Sequence, residues 1–204
     1  MKRGVRRAVV AAGLWILTAL LGCASTSTPA RFHTLVPSID SAAATTRVAP
    51  GVRVELLPVT LPAQVDVPQI VVRLPDDSMR ALEHERWIAP LADEIRAALA
   101  LRIDAALAAA PSVPAAAAVG APWRVALEVQ RFDSTLGGAA SLQAVWSLQS
   151  GDGRALRCQV NDREGVAAGP AALVAGHRAL IERLGDAIGR ALRAATAGGG
   201  PACV

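Results

Sequence analysis

The feature that most constrains the fold is a strict alternation of apolar and polar residues in the second half of the chain. It runs through segments 123–129, 142–148 and 155–161, separated by turn residues at 136–139 and 150–153. A period of two residues places the apolar side chains of a strand on one face. The pattern therefore predicts an antiparallel three-stranded meander with one buried and one solvated face.

Amphipathic helices flank this meander. The first is predicted to begin at Pro90, which suits the first turn of a helix, and its apolar stripe consists of Ile88, Leu91, Ile95, Leu99, Ile103 and Leu107. The second is predicted over Pro170–Ala195, with Leu173, Leu180, Ile181, Leu184, Ile188 and Leu192 facing inward. On its outer face, Arg178–Glu182 and Asp186–Arg190 are spaced as i,i+4 ion pairs.

The first half of the chain contributes further strands. Residues 52–56 alternate, residues 70–72 are β-branched, and Met79–Trp87 is compatible with a strand returning beside the preceding one. Residues 31–35 are compatible with a short first strand. The predicted fold is an α/β single domain in the order β-β-(β)-α-β-β-β-α, in which two long amphipathic helices pack on a mixed or antiparallel sheet of about five to six strands.

The N-terminus has the marks of an export signal. Four basic residues and no acidic residue open the chain, and an apolar run of 14 residues follows from Ala8 to Leu21. This run is shorter than the roughly 18–20 residues that a transmembrane helix needs. Leu20-Leu21-Gly22-Cys23 resembles the cleavage box of bacterial lipoproteins. An ordinary N-terminal helix with a buried Cys23 is the alternative.

The resemblance to a lipoprotein signal implies removal of residues 1–22 and lipidation of Cys23 by a thioether-linked diacylglycerol and an N-acyl chain. Several acyl chains give stable attachment, so we expect a protein anchored to a membrane rather than spanning one. Ala24 stands where many double-membrane bacteria place an inner-membrane retention Asp, so we expect the periplasmic face of the outer membrane. The expected organisation is a lipidated tether at 23–50, a folded domain at 51–197 and a flexible tail at 198–204.

Charge argues against a nucleic-acid partner. The chain has 21 basic and 17 acidic residues, but four of the basic residues lie in the signal, so the mature protein is formally neutral. Nucleic-acid-binding proteins carry a dense basic patch, and the sequence contains none.

Two cysteines remain after Cys23. The alternation of the third meander segment places Cys158 on the apolar face, where it is expected to act as a small buried hydrophobic residue. A disulfide with Cys203 is the alternative, which an oxidising periplasm allows.

The sequence carries no constellation typical of catalysis or metal binding. His33, His84 and His177 are far apart, and none has a partner at ligand spacing. His177 lies on the apolar side of the last helix, where a buried structural histidine is expected. Glu83 and Glu85 flank His84, an arrangement that fits a solvated charged strand better than acid–base chemistry. We expect a non-enzymatic protein without metal or cofactor, apart from the covalent lipid.

Two stretches in the first half are distinctive. One is Leu61-Pro62 followed by DVPQIVVR at 66–73, and the other is ERWIAPL at 85–91, at the entry to a helix. Together with the lipoprotein box and the early FHTL at 32–35, they resemble the PqiC-type ABC-transport auxiliary lipoprotein family. The resemblance is clear from Arg31 to Leu107 and rests on element order elsewhere. The Ala/Pro-rich linker at 108–122 departs from the family pattern.

The resemblance implies a non-enzymatic outer-membrane lipoprotein that works with MCE-domain proteins and inner-membrane partners. Such systems carry lipid between the two membranes and support envelope integrity. Docking of a tunnel-forming partner is expected near residues 66–91 or at a sheet edge, with Gln69, Arg73 and Arg86 as candidate docking residues. For Arg73, membership of an ion pair is the alternative, and Trp87 is expected to anchor the core. A homo-oligomer is compatible with the resemblance.

Two other classes of function stay open. An outer-membrane assembly or structural lipoprotein would support a barrel or the cell wall, and would co-purify with a barrel or with peptidoglycan. A small-molecule or lipid carrier would need a sizeable apolar cavity, which two helices on a sheet provide only when they splay.

Overall fold

The structure is a computed structural model that describes residues 28–38, 52–108, 122–198 and 202–203. These ranges contain seven strands and two helices in the predicted order, including the short first strand. The elements are β1 (Arg31–His33), β2 (Val54–Leu56), β3 (Gln69–Arg73), β4 (Met79–Trp87), α1 (Leu91–Ala108), β5 (Trp123–Ser134), β6 (Ala139–Gln149), β7 (Ala155–Gly165) and α2 (Pro170–Thr196). The predicted α/β class is confirmed.

The strands divide into two mixed sheets, whereas a single sheet was predicted. One sheet has the order β1-β4-β3 and the other has the order β2-β5-β6-β7, which contains the predicted meander. β1 pairs in parallel with β4, and β2 pairs in parallel with β5. The division arises after β2, where the backbone N–H groups of Leu57 and Thr60 donate to the carbonyls of Val125 and Leu127 at 2.9 and 3.1 Å. The chain therefore follows β5 before it reaches β3.

One hydrophobic core joins both sheets and both helices. Trp87 of β4 is buried, as predicted, and packs edge-to-face on Phe132 of β5 with ring centroids 6.4 Å apart. α2 lies against β6 and β7 and packs along α1. The helices approach so closely that a Cβ at Gly189 would lie 2.5 Å from the Cβ of Ala106. Glycine is therefore required at this crossing.

Ile88 does not belong to the apolar stripe of α1. Its side chain is 60% exposed, so that prediction was wrong. The helix begins at Leu91, and Ile88 instead continues the alternation of β4 beyond its last residue, Trp87.

The predicted ion pairs along α2 are replaced by contacts to other elements. Arg102 of α1 donates two hydrogen bonds of 2.7 Å to the carboxylate of Asp186. Arg178 donates to the carbonyl oxygens of Thr34 and Leu35, at 3.0 and 3.4 Å. Sequence spacing predicts pairs within one helix. In the folded chain Asp186 instead forms a bidentate pair with Arg102, and Arg178 bonds backbone carbonyls.

Cys158 is buried, as predicted, but it forms a disulfide with Cys203, so the expectation of an unpaired thiol was wrong. Its Cα lies 5.6 Å from the Cα of Cys203. α2 runs back along β7, and the Arg154 guanidinium donates to the Ala195 carbonyl at 2.7 Å near the end of that helix. This return brings the C-terminal residues to the face of β7 that carries Cys158.

The predicted lipidation site, Cys23, lies outside the described residues, as do residues 109–121 of the predicted linker at 108–122. Among the helices that the structure describes, none is long and apolar enough to cross a membrane.

Candidate functional site

Residues 31–36, which lie close in sequence to the predicted lipidation site Cys23, are held to the core by charged side chains. We call residues 31–36 the anchor-proximal segment. The carboxylate of Glu94, which is buried on α1, accepts hydrogen bonds of 2.7 Å from the Thr34 hydroxyl and from the Leu35 backbone N–H. Arg178 of α2 donates to two carbonyls of the same segment. The segment is thus bonded to both helices.

A second buried carboxylate fixes the start of this segment. Glu85 of β4 accepts a hydrogen bond of 2.8 Å from Arg31 Nε, and its other oxygen lies 2.6 Å from His33 Nε2. Burial raises the pKa of the Glu85 carboxyl, but the hydrogen bonds from Arg31 and His33 outweigh burial and hold that pKa below its usual value. Glu83 and His84 are exposed, so the predicted solvated strand holds for these two and fails for Glu85.

The sequence analysis did not predict that Glu85 and Glu94 bind the anchor-proximal segment. The signal for Glu85 was its position two residues before the core residue Trp87, which puts both on the same face of β4. The signal for Glu94 was weaker, because a Glu in the first turn of a helix is explained by the helix dipole alone.

Replacing Glu94 with Gln is expected to loosen the anchor-proximal segment. The amide would keep the shape of the side chain but would leave a neutral acceptor for two buried donors, and we expect a loss of about 1–3 kcal/mol in the free energy of unfolding. Amide hydrogen exchange at residues 34–36 is expected to accelerate. The control is Glu83→Gln on the exposed part of β4. Equal exchange in both variants would show that Glu94 does not hold this segment.

Two of the three predicted docking residues are neighbours in the structure. Gln69 of β3 pairs with Arg86 of β4, next to a register shift between Gln69 and Ile70. Arg86 pairs with Phe32 of β1 on its other side. Directly paired residues project from the same face of a sheet, and Phe32 is 59% exposed. Phe32, Arg86 and Gln69 therefore form a row across the outer face of the three-stranded sheet, which we call the outer row.

Arg73 lies at the other end of β3 and makes an internal ion pair. Its guanidinium donates to the Asp133 carboxylate of β5 at 3.1–3.2 Å, through both Nε and Nη2. It also donates to the Asp77 carbonyl at 3.3 Å. The interpretation of Arg73 as an ion-pair member is confirmed, and the pair joins the two sheets where β3 contacts β5.

His177 is a buried structural residue, as predicted. Its Nε2 lies 2.7 Å from the Ser134 hydroxyl, and its ring stacks on Phe132 with centroids 3.8 Å apart. Its Nδ1 has no hydrogen-bond partner among the described residues. Burial lowers the pKa of the His177 imidazole to about 3, so the ring is neutral at physiological pH.

A small apolar groove lies where Leu35 meets the two helices. It encloses about 130 Å³, below the roughly 300–1,000 Å³ of typical small-molecule sites. Its lining residues are Leu35, Pro37, Ala98, Leu101, Arg102, Ala105, Arg178, Ile181 and Glu182. This groove is too small for a whole lipid. In the ranges that the structure describes, no group of three His, Cys, Asp or Glu residues is arranged to hold a metal ion.

Solved structures with the same fold exist. An uncharacterised protein superimposes with a TM-score of 0.63 at 15% identity, over 81% of this chain and 99% of the other. A Xanthomonas campestris protein assigned to the DUF330 family superimposes with a TM-score of 0.57 at 16% identity, over 83% of this chain and 97% of the other. At these identities the likeness shows the fold alone. The curated proteins contain no match to this chain.

The sequence itself matches a family model. Residues 33–189 match the model described as "ABC-type transport auxiliary lipoprotein component". The match runs from the last residue of β1 into α2, and it includes the anchor-proximal segment from His33 onward. It also includes Gln69, Arg73 and Arg86. The resemblance found in the sequence motifs is thereby confirmed, and the chain belongs to the family of ABC-type transport auxiliary lipoproteins.

Proposed function

We propose that this protein is the outer-membrane-anchored periplasmic component of an MCE/ABC-type lipid transport system. In this role it catalyses no reaction and instead docks a transport partner beneath the outer membrane. The observation that carries the proposal is the family match over residues 33–189, since that family is an auxiliary component of ABC-type transport. MCE-domain proteins and inner-membrane transport proteins are the partners we propose.

The proposed anchor is a covalent lipid on Cys23, with a diacylglycerol on the sulfur and an acyl chain on the amine. Support comes from the lipoprotein box at residues 20–23 and from Ala24 in place of a retention Asp. Because Glu94 and Arg178 bond the anchor-proximal segment to both helices, a pull on the lipid would be transmitted to the core.

The proposed docking surface is the β3 end of the outer row. Gln69 lies there, adjacent to Arg86. The Arg86 guanidinium donates to the Glu83 carbonyl at 3.5 Å and has no carboxylate partner among the residues that the structure describes. A partner offering backbone carbonyl and N–H groups would bond the Gln69 side-chain amide there. Arg73 is a positioning residue in this proposal, because its pair with Asp133 fixes β3 against β5.

The test is a crosslinked pull-down from intact envelopes with the full chain and with its Cys23→Ala variant. We expect an MCE-domain protein to be captured by the lipidated protein, and capture to fall when Cys23 is replaced. Capture of a barrel or of cell-wall material without an MCE protein would contradict the transport role and favour an assembly or structural lipoprotein. Capture that does not depend on Cys23 would contradict the role of the anchor.

A further inference from the structure

Two large apolar side chains are exposed at the β1 end of the outer row, one on β1 and the other just after β4. Phe32 is 59% exposed and Ile88 is 60% exposed. Arg86 pairs directly with Phe32 and precedes Ile88 by two residues, so alternation along β4 places all three on one face. The backbone N–H of Ile88 donates to the His33 carbonyl at 2.8 Å, which holds Ile88 beside β1.

This cluster is small and has the composition of a membrane-contact surface. An aromatic ring, an aliphatic side chain and a cation together are typical of residues at the boundary between lipid headgroups and acyl chains. A stable protein–protein interface takes about 20–30 residues on each side. Three residues on a narrow sheet are therefore better suited to an insertion into lipid headgroups than to a stable protein interface.

The position of the cluster in the chain places it near a membrane. Seven residues, 24–30, lie between Cys23 and Arg31, the first residue of β1, so eight Cα–Cα steps join the two. A fully extended chain advances at most about 3.6 Å per residue, so β1 begins no more than about 29 Å from a lipidated Cys23. Phe32 is the next residue after Arg31, and a tether this short keeps its local concentration at the bilayer high.

We propose that Phe32, Ile88 and Arg86 contact the headgroup region of the same bilayer that holds the lipid of Cys23. This inference rests on the proposed function, because it needs the anchor. It orients the domain, since the β1 end of the outer row lies on lipid. Gln69 lies two strands away, roughly 10 Å from Phe32, and stays available to the transport partner.

The test uses the full lipidated chain in vesicles of phosphatidylethanolamine and phosphatidylglycerol, with and without bromine on the acyl chains. Bromine quenches tryptophan fluorescence on contact, and the native Trp87, Trp123 and Trp146 are buried. The variants are Phe32→Trp and Ile88→Trp. The control is Leu136→Trp, at an exposed position in the turn between β5 and β6. We expect brominated lipid to reduce the added fluorescence of the first two variants and to leave that of the control unchanged.

The mass of the peptide that contains Cys23, measured by mass spectrometry, shows whether Cys23 is acylated. This second measurement distinguishes failure of the membrane-contact surface from failure of the proposed anchor. If Cys23 is acylated and neither variant is quenched, the membrane-contact surface is wrong and the anchor stands. Equal quenching of all three variants would also overturn the surface, because contact would then not be specific. If Cys23 carries no lipid, the anchor and the surface both fall. If a Phe32→Ser variant no longer captures the transport partner and Phe32→Trp is not quenched, the cluster contacts a protein rather than lipid, and the membrane-contact surface is wrong.

Discussion

Replacing Cys203 with Ala is expected to lower the free energy of unfolding by about 4 kcal/mol. The disulfide between Cys158 and Cys203 closes a loop with a sequence separation of 45 residues, and its loss enlarges the ensemble of the unfolded chain. Cys158 remains in the variant as a small buried side chain, so no cavity is created in the core. Denaturant unfolding of the full chain measures the difference.

The matched control for this prediction is reduction of the parent protein. Reduction is expected to lower its stability to the level of the Cys203→Ala variant, and to leave the variant itself unchanged. Equal stability of the parent and the variant under oxidising conditions would mean that the disulfide does not form in the folded protein.

Stability is expected to fall as the pH drops below about 6.5, through His177. The unfolded chain binds a proton at His177 near pH 6.5, whereas burial lowers the pKa of the folded imidazole to about 3. The contribution of the neutral ring to the free energy of unfolding is therefore fully present above pH 6.5. It is lost progressively as the pH falls from 6.5 to 3. By pH 4.5 this one group is expected to lower the free energy of unfolding by about 3 kcal/mol.

The measurement compares unfolding at several pH values in the parent and in His177→Gln. Gln is uncharged at every pH, so the variant is expected to lose stability less steeply between pH 6.5 and 4.5, whatever its stability at neutral pH. His84→Gln is the control, because His84 is exposed, and its slope is expected to match that of the parent. A parent slope equal to that of His177→Gln would exclude His177 as the titrating group.

The elements of the fold were predictable because each has a local period. The alternation that predicted the meander follows from the pleat of β5, β6 and β7, and the apolar stripe that predicted α1 follows from the helical period. Ile88 shows the limit of this approach, since it lies at helical spacing from Leu91 and Ile95 and also continues the alternation of β4. The helical period fits its apolar side chain, but α1 begins only at Leu91 and leaves Ile88 exposed on the outer face.

Contacts between elements distant in sequence could not be predicted in the same way. The pairing of β2 with β5, which divides the strands into two sheets, depends on where the chain travels after Leu56. The disulfide depends on the return of α2 along β7. Glu94 accepts from Leu35 across 59 positions of sequence, and no local pattern marks such a pair.

The residues of the candidate site were predictable from local motifs, but their arrangement depends on strand pairing and was not. The motifs brought Gln69, Arg73 and Arg86 forward as separate residues, and strand pairing then joined Gln69 to Arg86 and separated Arg73 from both. Phe32 entered the site only through the pairing of β1 with β4, because a single exposed aromatic residue carries no signal in a sequence.

The central claim is that the β3 end of the outer row, at Gln69, receives an MCE-domain partner in a lipid-anchored domain. Site-specific photo-crosslinking in intact envelopes tests it most directly. A photo-crosslinking residue replaces Gln69 in one protein and Gln159, an exposed glutamine on β7, in the matched control. The expected result is an adduct with an MCE-domain protein at position 69 and none at position 159. The same adduct at both positions, or an adduct at position 69 with a barrel protein alone, would contradict the claim.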